Sequence, residues 1–94
     1  MNDERLTEAR KKINEVDEKM AKLFEERMDV TKEIAEYKKE NGLPIFDESR
    51  EKEVIKNNTN YIDSEDYKSY YTEFIQSVMD ISKEYQRDRM EGSK

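Results

Sequence analysis

Ninety-four residues make room for one small domain, 1–94, and the absence of cysteine and histidine removes disulfide staples, thiolate chemistry and the usual zinc ligands. The first ten residues are charged and no stretch approaches the about 20 apolar residues of a membrane span, so no signal peptide and no membrane association are expected, and the cytoplasm is the expected address. Charged residues make up 45% of the chain, but the 18 positive and 24 negative charges are interspersed, as on the solvated faces of long helices, and the net charge of -6 argues against a nucleic-acid partner.

The first predicted element is a very long helix over about residues 4–40. Its apolar residues Leu6, Ala9, Ile13, Val16, Met20, Leu23, Val30, Ile34 and Tyr37 step by three and four, a heptad-like seam. The slot between Leu23 and Val30 holds Arg27, a guanidinium that is costly to bury unless it meets an anion. Taken alone, a surface arginine or one paired with a carboxylate explains it equally well. A helix of this length spans roughly 55 Å, whereas a compact monomer of this size has a radius of gyration of about 12 Å. A second copy of the chain is therefore expected to cover the seam.

Gly42 and Pro44 end this helix in the usual order of a C-cap followed by a proline. A second helix is predicted over about 48–58 with Asp47 as its N-cap, then a polar break, then a third helix over about 64–89 capped by Asp63 or Ser64. The third helix carries an apolar series at Tyr67, Tyr71, Phe74, Val78, Ile81 and Tyr85, and the tail, about 90–94, is expected to fray. The fold class is all-α, with three helices per chain in an intertwined helical homodimer.

Polar residues recur at spacings that suit one site. Arg27 and Lys38 lie eleven residues apart, three helical turns, and point nearly the same way. Arg10 precedes Arg27 by 17 residues, about 25 Å along the axis and roughly 100° around it, so it can serve the same small ligand only from an antiparallel partner chain. Asp47, Arg50 and Glu51 open the second helix, and Ser82 and Gln86 are neighbours at i and i+4, in line with Ile75 and Met79.

Over residues 5 to 87 the chain resembles the all-helical (AroQ-type) chorismate mutases. The matching stretches are RKKINEVDEK from Arg10, Glu26-Arg27, Lys38, PIFDESRE from Pro44 to Glu51, and SKEYQ from Ser82 to Gln86. The resemblance implies rearrangement of chorismate to prephenate in aromatic amino-acid biosynthesis, with no cofactor and no metal. It implies that Arg10 of the partner chain and Arg27 bind the two substrate carboxylates, and that Lys38 and Gln86 donate to the ether oxygen of the breaking bond. Glu51 with the backbone at Asp47 would hold the ring hydroxyl, Ser82 a carboxylate, and Arg50 would add positive potential and help orient Glu51. Singly, each residue reads as an ordinary helix charge, cap or surface pair worth about 0 to 1 kcal/mol; it is the eight together, in order, that carry the resemblance. One departure stands out. Lys83 replaces an apolar residue often seen in the family, and it either alters the site or faces solvent. Two alternatives remain: an isochorismate-pyruvate lyase of the same fold, which Glu51 and Ser82 disfavour, and a non-catalytic helical interaction protein, which explains the seams but not the polar set.

Overall fold

The computed structural model describes residues 2–91, and all the regular structure among them is helical: α1 (Asn2–Glu40), α2 (Glu48–Tyr61) and α3 (Glu65–Glu91). The chain divides into two compact units, Met1–Val30 and Thr31–Lys94. The frayed tail expected from about residue 90 is helical at residues 90 and 91, while residues 92–94 lie outside the described residues.

The first unit is helix alone. Asp3 and Glu4 place negative charge in its first turn, where the helix dipole favours it. From residue 3 to residue 26 every side chain is exposed, and Arg27 and Met28 are half-buried. The apolar residues of the seam do not escape this: Leu6, Ile13, Val16, Met20, Leu23 and Val30 are between 48% and 62% exposed.

The second unit holds the core. Val54 of α2 packs with Ile75, Val78 and Met79 of α3, and Ile55 and Tyr71 close against them. Helix α1 ends in a Schellman motif: Leu43 N–H donates to Lys38 O at 2.9 Å, Gly42 N–H to Lys39 O at 3.5 Å, and Gly42 itself adopts φ +64. Asp47 caps α2 by accepting from Arg50 N–H at 3.0 Å, a contact worth about 1 kcal/mol.

Two expectations change here. Helix α2 runs to Tyr61 rather than ending near residue 58, because its last turn is tied to α3. Tyr71 Oη donates to Asn58 Oδ1 at 3.3 Å and the hydroxyls of Thr59 and Thr72 meet at 3.2 Å, so polar residues that read as a linker become cross-helix fasteners. The break shrinks to residues 62–64, and Ser64, whose carbonyl accepts from Tyr67 N–H at 3.1 Å, directly precedes α3. The second change concerns α3. Its buried face is Ile75, Val78, Met79, Ser82 and Gln86, while Tyr67, Phe74 and Ile81 of the expected seam are exposed. The buried face is rotated because it includes two polar residues that an apolar count passes over.

The Gly42 turn yields a clean test. A Cβ built at Gly42 meets nothing within 4 Å, so Gly42→Ala changes only the backbone term. The substitution is expected to cost about 1 kcal/mol, the penalty of holding an L-residue at left-handed φ. Urea unfolding of parent and variant at one protein concentration checks it.

Candidate active site

The second unit holds six of the eight candidate site residues, Lys38, Asp47, Arg50, Glu51, Ser82 and Gln86, on three helical segments and the loop between the first two. On α3, Ser82 and Gln86 are buried at 6% and 7% exposure, one turn apart and in line with Ile75 and Met79. Ser82 Oγ donates back to Val78 O at 2.9 Å. The Gln86 side-chain oxygen is buried with no hydrogen-bond partner among the described residues, a condition that costs about 1–3 kcal/mol in a finished core. Polar groups on an otherwise apolar, buried helix face are tolerated where they are kept for a ligand.

On the last turns of α1, Thr31, Ala35 and Lys38 follow one another at i, i+4 and i+7, with Thr31 and Ala35 buried and Lys38 half-buried. Lys38 Nζ donates to Ile45 O at 2.8 Å. That bond uses one of three ammonium donors and pins the lysine to the loop between α1 and α2. Thr31 was not foreseen as part of this face, since a lone threonine between Val30 and Lys32 carries no periodic signal.

Glu51, half-buried on the first turn of α2, is held from an unexpected direction. Lys83 Nζ lies 2.9 Å from its Oε2 and 3.4 Å from Asp80 Oδ1, and sits 4.9 Å above the centre of the Phe46 ring. Gln76 Nε2 reaches Glu51 Oε1 at 3.5 Å and Asp80 Oδ1 at 3.0 Å. Arg50, by contrast, turns to Glu53 on the exposed side of α2, so the cation that orients Glu51 is Lys83 and not Arg50. Lys83 therefore does not face open solvent. Gln76, Asp80 and Lys83 stand at i, i+4 and i+7, a polar stripe visible in the sequence, but its partner 32 residues upstream is not. Phe46, Glu51, Ile55 and Gln76, with Glu48 and Lys52, line a cleft of about 270 Å³ beside this cluster.

Asp47 is exposed and occupied as a cap. Arg10 and Arg27 belong to the first unit, Arg10 exposed and Arg27 half-buried with a polar or electrostatic partner of its own.

The Glu51 hydrogen bond, outweighing the opposing effect of burial, raises the Lys83 pKa above the ordinary lysine value of 10.5, with Glu51 and Asp80 charges adding to it. A cation whose pKa is higher folded than unfolded contributes stability that is fully present below the unfolded value and is lost as pH climbs through the folded one. Whatever their difference near neutrality, parent and Lys83→Met are expected to diverge less in stability as pH rises past 10.5. Denaturant midpoints of the two proteins across the alkaline range measure this.

With this geometry in hand, comparison with known proteins is informative. The family model for chorismate mutase type II matches residues 9–87. A curated relative, the chorismate mutase of Methanocaldococcus jannaschii, is 49% identical over 51 residues, which make up 54% of this chain and 52% of that protein. The match thus spans about half the length of the relative. No solved structure matches the chain. The family match takes in all eight candidate site residues, from Arg10 to Gln86, and the chain belongs to the type II chorismate mutases.

Proposed function

We propose that the chain is a chorismate mutase, converting chorismate to prephenate by a concerted [3,3] rearrangement. The observation that carries this reading beyond family membership is the buried polar face of α3, where Ser82 and Gln86 lie in line with Ile75 and Met79. In the reaction the ether C–O bond breaks as the new C–C bond forms, and negative charge grows on the ether oxygen. Lys38 and Gln86 donate to that oxygen, stabilising charge that develops only in the transition state. Arg10 and Arg27 grip the two carboxylates with forked guanidinium groups. Glu51 and the backbone at Asp47 take the ring hydroxyl, which binds the substrate in its diaxial form. Ser82 reaches a carboxylate by turning its hydroxyl away from Val78, and Arg50 contributes positive potential. No cofactor or metal enters the scheme.

The reading includes a homodimer, 1–94 acting as a single catalytic domain, in which Arg10 crosses to the partner's site. Two observations support it: the exposed seam of the first unit, and the about 25 Å that separates Arg10 from Arg27 along one helix. Among the described residues no helix is long and apolar enough to cross a membrane, in keeping with a cytoplasmic setting for a soluble substrate. A lyase acting on isochorismate is the second reading, and the presence of Glu51 and Ser82 together weighs against it.

Loss of chorismate absorbance with identification of the product tests the activity directly. The same assay tests the shared site. Arg10→Ala and Arg27→Ala are each expected to be inactive, and mixing them under subunit exchange is expected to restore activity, because one site of each mixed dimer has both arginines. Thorough exchange without recovery places the two arginines in one chain's site.

Position 86 gives a second test. Nothing in the rearrangement transfers a proton, so turnover of the parent is expected to be flat from about pH 5 to 9. Gln86→Glu is expected to retain activity at acidic pH, where the introduced carboxyl can still donate, and to lose about a hundredfold or more as it ionises. A flat profile at parental rates shows that residue 86 does not face the ether oxygen.

A further inference from the structure

Gln76, Asp80 and Lys83 are polar residues around Glu51 that the proposed chemistry does not use, and of the three Lys83 makes the shortest contact with Glu51. Its ammonium lies 2.9 Å from Glu51 Oε2, and both side chains are 18% exposed, so the pair is largely withdrawn from water. Asp80 at 3.4 Å and the face of Phe46 at 4.9 Å fix the ammonium from two further sides. The two oxygens of Glu51 are unequally engaged. Oε2 takes the short charge-assisted bond. Oε1 has only Gln76 Nε2 at 3.5 Å, the outer limit of a hydrogen bond, and that amide is better placed on Asp80 at 3.0 Å.

We propose that Lys83 is a positioning residue for Glu51: it anchors Oε2, leaves Oε1 as the acceptor for the substrate hydroxyl, and offsets the carboxylate charge that would otherwise oppose a dianionic substrate. The inference rests on the chorismate mutase reading and on Glu51 as hydroxyl acceptor. Its physical basis is that an unpaired, partly buried carboxylate is costly by itself and repels a second anion strongly where water does not screen it. A site that uses a carboxylate to hold a dianion must neutralise that carboxylate from behind. Lys83 does so from α3, where Asp80 also contacts its ammonium, and Glu48 and Lys52 of α2 line the adjoining cleft. Raising of the Lys83 pKa keeps it charged through the working range.

Steady-state kinetics on chorismate with the full chain, between about pH 5 and 9, test the proposal through Lys83→Met, Lys83→Arg, Glu51→Gln and the Lys83→Met/Glu51→Gln pair. Lys83→Met is expected to raise KM about tenfold at the alkaline end with kcat changed less than about threefold, and the penalty is expected to shrink toward acid as the unpaired carboxylate takes up a proton. Lys83→Arg is expected to regain most of the loss. In the Glu51→Gln background, where the carboxylate left beside Lys83 is the largely exposed Asp80, Lys83→Met is expected to cost less than about twofold. If Lys83→Met does not fold, Lys83→Gln is read by the same criteria. Equal penalties in both backgrounds, or a penalty that does not vary with pH, overturn the role of Lys83 while leaving the function intact. A parent without chorismate turnover, or a silent Glu51→Gln, overturns the underlying reading and the positioning role with it.

Discussion

An apolar stripe left in water governs how the first thirty residues of this protein can exist. An isolated helix gains little from its own backbone, since nucleation is costly and propagation is nearly neutral, and most helical stability in proteins comes from covering an amphipathic face. From Leu6 to Val30 the seam has the spacing of a packed interface and the exposure of a free surface. Those two facts are reconciled by another seam of the same kind. A second copy of the chain is the cover we propose, and the position of Arg10 on the same helix makes assembly and chemistry one problem: the contact that would shelter the seam would also deliver an arginine.

The second unit solves the opposite problem. Its core is small, a cluster of Val54, Ile75, Val78 and Met79 with Ile55 and Tyr71 beside it, and Thr31, Ser82 and Gln86 are buried polar residues of the same unit. Such residues lower stability, because a polar group withdrawn from water must find a partner or remain in deficit. Around this centre, hydrogen bonds join α2 and α3 at Asn58, Thr59, Tyr71 and Thr72, and the exposed Glu36–Arg89 pair at 3.0 Å adds about 0 to 1 kcal/mol.

The loop between α1 and α2 links these tasks. Its Ile45 carbonyl receives Lys38, its Phe46 ring lies beneath Lys83, and its Asp47 caps the helix that carries Glu51. Three consecutive residues thus fix two cations and one carboxylate. The Schellman turn at Gly42 is what brings the chain back in register for this, and a glycine is needed there because the backbone sits at positive φ.

Helix number and type were legible in the sequence because each helix carries a 3.6-residue pattern with punctuation at Gly42, Pro44 and Asp47, all of them local signals. The order and spacing of the eight polar residues likewise carried the family. The last turn of α2, Thr59 to Tyr61, was not legible, since its residues read as a polar break in the sequence, whereas Thr59 meets Thr72 across the helix pair. The inner face of α3 was legible in part: Ile75, Met79, Ser82 and Gln86 fall in line in the sequence, but the apolar series through Tyr67, Phe74 and Ile81 marks another face. Lys83 shows the limit most clearly. Its type and its i+7 relation to Gln76 are local facts, but whether it met solvent or Glu51 depended on how α3 lies against α2, and side chains 32 residues apart in the chain find each other only once the helices have packed.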